Sequence, residues 1–158
     1  MNDITLYIHN LLTERKLTLG IAESCTGGLL SSSLTKQPGS SRYLLLAVVA
    51  YSNSSKVSIL KIPVDIINKE GAVSEKVAIL MSKGIRKISK ADLGIGITGI
   101  AGPTGSTPLK PKGTVFIAVS DNRKTLCKKF VFKGSRRKVM SQAVLNSLKL
   151  LGSFIIGK

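Results

Sequence analysis

Apolar positions recur along this chain at two spacings, and their alternation predicts a fold of both helices and strands. Ile4, Ile8, Leu11 and Leu12 share one face at helical spacing, with Asn2 or Asp3 placed to cap the first free amides. Residues 17–22 form a short apolar run that predicts a strand. It leads through Glu23-Ser24-Cys25-Thr26-Gly27-Gly28 into a helix reaching Ser33. After the turn at residues 37–41, the run 43–51 (YLLLAVVAY) is apolar throughout and predicts a central strand buried on both faces. Residues 52–60 predict a short capped helix that Pro63 ends, and residues 71–74 a loop. Val77, Ala78, Leu80, Met81 and Ile85 then mark one face of a helix that stops near Lys90. Residues 93–97 predict a strand, and the glycines and prolines of 98–108 a loop. Residues 115–119 and 126–132 form a hairpin through Asp121-Asn122-Arg123, and Val139, Val144, Leu145, Leu148 and Leu151 a closing helix.

Strands that alternate with helices and end in a hairpin predict a single α/β domain over residues 1–158, with three α/β/α layers and a mixed central sheet. In such a fold the ligand site lies at loops on the carboxyl ends of the strands. Three polar segments emerge there: 23–28, 51–56 and 98–107.

Composition changes this picture in one respect. The 158 residues carry 24 Lys+Arg against 8 Asp+Glu, a net charge of +16. That balance raises a nucleic acid or an anionic membrane as partner. The basic residues are nevertheless scattered through every segment, with no basic helix and no aromatic set for base stacking, so a small anionic ligand is the better expectation and no nucleic-acid partner is expected. Cys25 and Cys127 lie far apart, and with the lone His9 they fit neither a disulfide framework nor a zinc pattern, so no metal site is expected. The N-terminal MNDITLYIHNLL lacks the order of a signal peptide, and no uninterrupted apolar run reaches the roughly 18 to 20 residues of a membrane span. A cytoplasmic protein with no membrane partner is therefore expected.

The chemistry with the clearest local signal is nucleophilic. Ser24 follows a buried strand and precedes a Gly-Gly turn that opens a helix, where a hydroxyl can stay exposed while amides of the turn face a developing oxyanion. The segment is not G-x-S-x-G. His9 sits in the first helix, far from any glycine loop, so the base must be Lys, Tyr, Glu or a free amine. Lys56 is the best placed, one capped turn after the apolar run. To accept a proton at neutral pH its pKa must fall from about 10.4 toward about 7 or 8, the direction in which burial and nearby positive charge push it. Tyr51 could hydrogen-bond the same group or relay the proton. Residues 98–105 offer small side chains and free amides suited to a phosphate.

Taken together, Ala22-Glu23-Ser24-Cys25-Thr26-Gly27-Gly28, Gly39-Ser40-Ser41-Arg42-Tyr43, Tyr51-Ser52-Asn53 with Lys56, Gly71-Ala72-Val73-Ser74, Gly99-Ile100-Ala101-Gly102-Pro103-Thr104-Gly105 and Lys110-Pro111-x-Gly113-Thr114-Val115 resemble the CinA C-terminal-domain family, in order and over nearly the whole chain. The resemblance implies an amidohydrolase that converts nicotinamide mononucleotide to nicotinate mononucleotide and ammonia, in pyridine-nucleotide salvage, without a cofactor. It implies Ser24 as nucleophile, Lys56 as base and Tyr51 as its partner. It also implies substrate contacts from Cys25, Thr26, Gly27 and Gly28 around the oxyanion, and from Thr98, Gly99, Ala101, Gly102, Gly105 and Arg136 around the ribose phosphate. A homo-oligomer is implied as well. Met140 stands where relatives commonly carry a second arginine, Ser135 replaces the usual aspartate, and Ala47 replaces a glycine. Two competing readings are a non-catalytic member acting as an interaction protein and a basic polyanion-binding module.

Overall fold

The centre of the sheet is specified by small residues as much as by aliphatic ones. Gly94 and Gly96 alternate with Ile95 and Ile97 on one strand, because a helix backbone lies directly against the glycine face: a Cβ on Gly94 would stand 2.0 Å from the Ser82 carbonyl oxygen, and one on Gly96 2.5 Å from that of Ala78. In the computed structural model, which describes residues 2–157, the elements run α1 (Asn2–Glu14), β1 (Leu19–Glu23), α2 (Leu29–Thr35), a 3-10 turn (Ser40–Arg42), β2 (Leu44–Val49), α3 (Asn53–Ser58), α4 (Val64–Glu70), α5 (Glu75–Ser89), β3 (Leu93–Gly99), β4 (Thr114–Ser120), β5 (Thr125–Val131) and α6 (Arg136–Ile156). The Asn2 side chain, one of the two caps expected for α1, lies outside the described part, as do Met1 and Lys158.

The five strands form one mixed sheet in the order β2-β1-β3-β4-β5. β1 pairs in parallel with β2 and β3, while β3–β4 and β4–β5 are antiparallel. Side chains alternate between the faces as the strand period requires. Leu19, Ile21, Leu93, Ile95, Ile97, Val115, Ile117 and Val119 point to one side, where they form the main core with Ile8, Leu12, Leu30, Leu34 and Leu148 of α1, α2 and α6. On the other side Ala22, Val77, Met81 and Ile85 form a second cluster, and Ala78, Phe116 and Ala118 a third, beneath α5. This is the expected three-layer α/β/α architecture. Because α5 seats on glycine, Gly94→Ala is expected to destabilise the fold by about 3 kcal/mol, the upper end of ordinary overpacking, read as a lowered urea midpoint at unchanged slope.

Two expectations are corrected. Residues 43–51 are not a central strand: β2 is the sheet edge, with Leu44, Leu46 and Val48 half-buried and Leu45, Ala47 and Val49 exposed. The fully buried strands are β1 and β4, with β3 buried except at its last residue, although glycine makes β1 and β3 read as less apolar. Pro63 does not close a helical region either. It is the N-cap of α4, at a helix start where its missing N–H costs no hydrogen bond. α6 is long and apolar enough for a membrane span by length and composition, yet more than half of its most apolar stretch is buried within this domain.

Candidate active site

β1, β2 and β3 all end at the same edge of the sheet, so the three polar segments that follow them converge. The turn after β1 uses Gly27 and Gly28 at φ of 61° and 95°, a left-handed conformation that disfavours any residue with a Cβ. Glu23, the last residue of β1, is almost fully buried. One carboxylate oxygen accepts from the Gly28 amide at 3.1 Å and the Leu30 amide at 3.1 Å, and the other accepts from the Ser31 amide at 2.9 Å and the Ser31 hydroxyl at 2.8 Å. A carboxylate thus satisfies the orphan amides at the start of α2 and favours its dipole. Glu23→Ala would leave those donors unpaired in a buried place, and we expect a loss of about 3 kcal/mol or more, a drop on the order of 10 °C in melting temperature by calorimetry.

The fixed turn holds Ser24, 8% exposed, beside Lys56, 2% exposed. Lys56 projects from α3, a short helix started by Ser52, whose hydroxyl accepts from the Ser55 amide at 3.0 Å. Its Nζ donates to the Ala50 carbonyl at 2.8 Å and the Tyr51 carbonyl at 3.2 Å, and lies 3.1 Å from Ser24 Oγ. Burial pushes the Lys56 pKa below its usual 10.5; an ionised Cys25 would push it back up. That opposition is absent near neutral pH, because burial raises the Cys25 thiol to about 12. Cys25 is therefore a neutral thiol, while the serine beside it has an amine at hydrogen-bond distance.

The arrangement has a simple proton count. A charged ammonium has three N–H donors for Ala50 O, Tyr51 O and Ser24 Oγ. A neutral amine keeps two donors for the carbonyls, and its lone pair is left to accept from the Ser24 hydroxyl. The site can thus hold a serine and its base in contact before any ligand arrives.

Ser24, Cys25, Tyr51, Lys56, Thr98, Gly99, Ala101, Gly102, Gly105 and Arg136 line one cleft of about 300 Å³, at the small end of ligand pockets. Thr26, Gly27 and Gly28 do not line it. The amide of Gly27 donates to the Ser24 carbonyl at 3.1 Å and that of Gly28 to Glu23, so neither faces the cleft as an oxyanion donor. The Thr26 amide has no acceptor among the described residues, and its hydroxyl is buried without a partner. Thr98 is present but its hydroxyl donates to the Ala72 carbonyl at 2.8 Å. Gly99 is required by close approach, since a Cβ there would meet Val115 at 2.7 Å and the Thr114 carbonyl oxygen at 2.8 Å.

Tyr51 is placed differently from the expected base partner. Its carbonyl contacts Lys56, but its phenol, on a residue 60% exposed, accepts from Arg136 Nη2 at 2.7 Å. Arg136 Nη1 donates to the Gly102 carbonyl at 2.8 Å, so this guanidinium joins α6, the segment after β2 and the glycine loop across the cleft mouth. Ser135 caps α6 in place of the aspartate, its hydroxyl accepting from the Lys138 amide at 3.3 Å, and the Met140 side chain reaches toward Gly27. Asn53 and Thr104, which belong to the quoted motifs but had no role assigned from sequence, also line the cleft. Glu23 had a distinguishing sequence signal, an acidic residue between a buried strand and a helix N-terminus.

A family model described as the CinA C-terminal domain matches residues 1–155. The chain is 54% identical over 143 residues to a CinA-like protein of Syntrophus aciditrophicus, covering 88% of this chain and 34% of that one. It is 46% identical over 145 residues to a CinA-like protein of Desulfotalea psychrophila, covering 92% and 35%. The chain thus spans about a third of the length of these curated relatives. Among solved structures, a competence-damaged protein (CinA) superfamily protein from Klebsiella pneumoniae superposes with a TM-score of 0.96 at 31% identity, covering 99% of this chain and 98% of that one. One from Enterobacter cloacae gives 0.92 at 33%, covering 98% and 91%.

Proposed function

The chain belongs to the CinA C-terminal domain family, and from that premise and the contact between Lys56 and Ser24 we propose that it hydrolyses the carboxamide of nicotinamide mononucleotide. The observation that carries this reading is the Lys56 amine, 3.1 Å from Ser24 Oγ with two backbone carbonyls as its other partners. Neutral Lys56 takes the Ser24 proton as Oγ attacks the carboxamide carbon, whose reactivity the electron-withdrawing pyridinium ring raises. The Cys25 amide is the donor left for the tetrahedral oxyanion, since Thr26 does not line the cleft and the amides of Gly27 and Gly28 are engaged elsewhere. The C–N bond then breaks, and the Lys56 ammonium returns its proton to the departing ammonia. Water, deprotonated by the same amine, cleaves the ester between Ser24 and the pyridine carboxylate and restores the serine.

Arg136 is the exposed cation of the cleft, and the amides of Ala101, Gly102, Thr104 and Gly105 have no acceptor among the described residues. Together they suit a ribose phosphate. Arg136→Ala is expected to raise KM for the mononucleotide about tenfold with kcat nearly unchanged, because phosphate binding is uniform between ground and transition state. The same variant should leave any turnover of the unphosphorylated riboside unaffected, and steady-state kinetics on both compounds reads the difference. Ammonia release from nicotinamide mononucleotide, with equal formation of the carboxylate product, tests the function itself. Absence of ammonia from the folded wild type removes this reading.

A further inference from the structure

At the opposite end of the sheet lies a larger cleft that the proposed reaction does not use. β3 runs from Leu93 at that end to Gly99 at the Ser24 end, a separation of about 20 Å at the ordinary strand rise. The cleft has a volume of about 530 Å³ and lies between the last turns of α5 and the β4–β5 turn. Six cationic side chains line it: Lys83, Arg86, Lys87 and Lys90 from one wall and Arg123 and Lys124 from the other. Asp121 is the acidic residue in the lining, and its Oδ1 accepts from the Arg123 and Lys124 amides at 2.8 and 2.7 Å, which shapes the turn.

Helix electrostatics explains part of this set. Cations in a last helical turn favour the negative end of the dipole, which covers Arg86 and Lys87. It does not explain why a second element brings Arg123 and Lys124 to face them. Lys124 has local partners, the Gly157 carbonyl at 3.0 Å and the Phe154 ring at 4.9 Å. Arg86 Nε is buried without a hydrogen-bond partner. Like charges gathered in a concave place repel one another and focus a positive potential there.

We propose that this cleft is a binding site for an oligophosphate chain. The lining offers flexible point charges and guanidinium donors, which match phosphate oxygens. It contains no aromatic side chain on which a base could stack, so the phosphates rather than a nucleobase are recognised. A concave pocket suits a short chain of phosphates better than the extended backbone of a duplex.

The test is calorimetric titration with inorganic tripolyphosphate near 0.15 M salt, where surface charges are screened beyond about 8 Å. Two triple variants each lower the net charge of +16 by three: Lys83→Ala, Lys87→Ala and Arg123→Ala in the cleft, and Lys36→Ala, Lys69→Ala and Lys76→Ala at exposed positions elsewhere. Thermal melts establish that both are folded. Saturable binding at one site, weakened about tenfold or more by the first triple and less than about threefold by the second, is the expected result. ATP in place of tripolyphosphate then tests what is recognised: competition at equal affinity assigns the site to the phosphate chain alone, and markedly tighter ATP binding would overturn recognition through the phosphates alone. Equal weakening by both triples, the absence of saturable binding, or binding only to a DNA duplex would overturn the assignment.

Discussion

Ser24→Ala is expected to abolish ammonia release from nicotinamide mononucleotide, by about 10³-fold or more, while leaving the fold intact. The size of the effect follows from the chemistry: without Oγ there is no acyl-enzyme, and nucleophile and base act as a unit, so removing one forfeits most of what both supply. Retention of the fold follows from packing. Ser24 Oγ has Lys56 Nζ as its partner and is not part of the Glu23 network that holds the turn, so alanine leaves the amides of Gly28, Leu30 and Ser31 satisfied. Cys25 cannot substitute, because its buried thiol is held up to about 12 and stays protonated. A melting temperature within a few degrees of wild type, together with lost turnover, is the combined expectation.

Lys56→Met should lower kcat by about 10² to 10⁴-fold, the ordinary contribution of a general base, with a characteristic effect on stability. The Lys56 pKa is depressed by burial in the folded chain and lies near 10.5 when unfolded. Above about 10.5 the amine is neutral in both states and pH has no effect through it. As pH falls below that value, the unfolded chain takes up the proton first, so Lys56 progressively disfavours folding until the folded pKa is passed. Methionine has no proton to exchange. The stability of Lys56→Met relative to wild type should therefore rise as pH is lowered through this window, which urea melts at several pH values will show. A structural lysine on the surface would give no such trend.

The positions of Ser24 and Lys56 are legible in the sequence because Ser24 lies between an apolar run and a Gly-Gly turn and Lys56 one capped turn after a second apolar run, and the two runs are adjacent parallel strands. The orientation of Tyr51 is not. Its phenol turns to Arg136, 85 positions along the chain, and only tertiary structure brings that guanidinium near. β2 was misread for a related reason. Apolarity reports the side chains of a strand but not its neighbours, and the innermost strands β1 and β3 carry glycine where α5 lies against them. The short α4 was hidden behind Pro63, which can end one helix or begin another. The engagement of the Gly28, Leu30 and Ser31 amides by Glu23 is not legible either, because it depends on a buried carboxylate folding back over the turn.

The central claim is that a neutral Lys56 activates Ser24 for attack on an amide, and the rate of ammonia release from nicotinamide mononucleotide as a function of pH tests it most directly. Between about pH 6 and about pH 10, kcat/KM should rise along a single limb and level off below the ordinary lysine value, and Ser24→Ala should stay at background throughout. A rate that is independent of pH, or one that falls as pH rises, or equal turnover by Ser24→Ala would contradict the account.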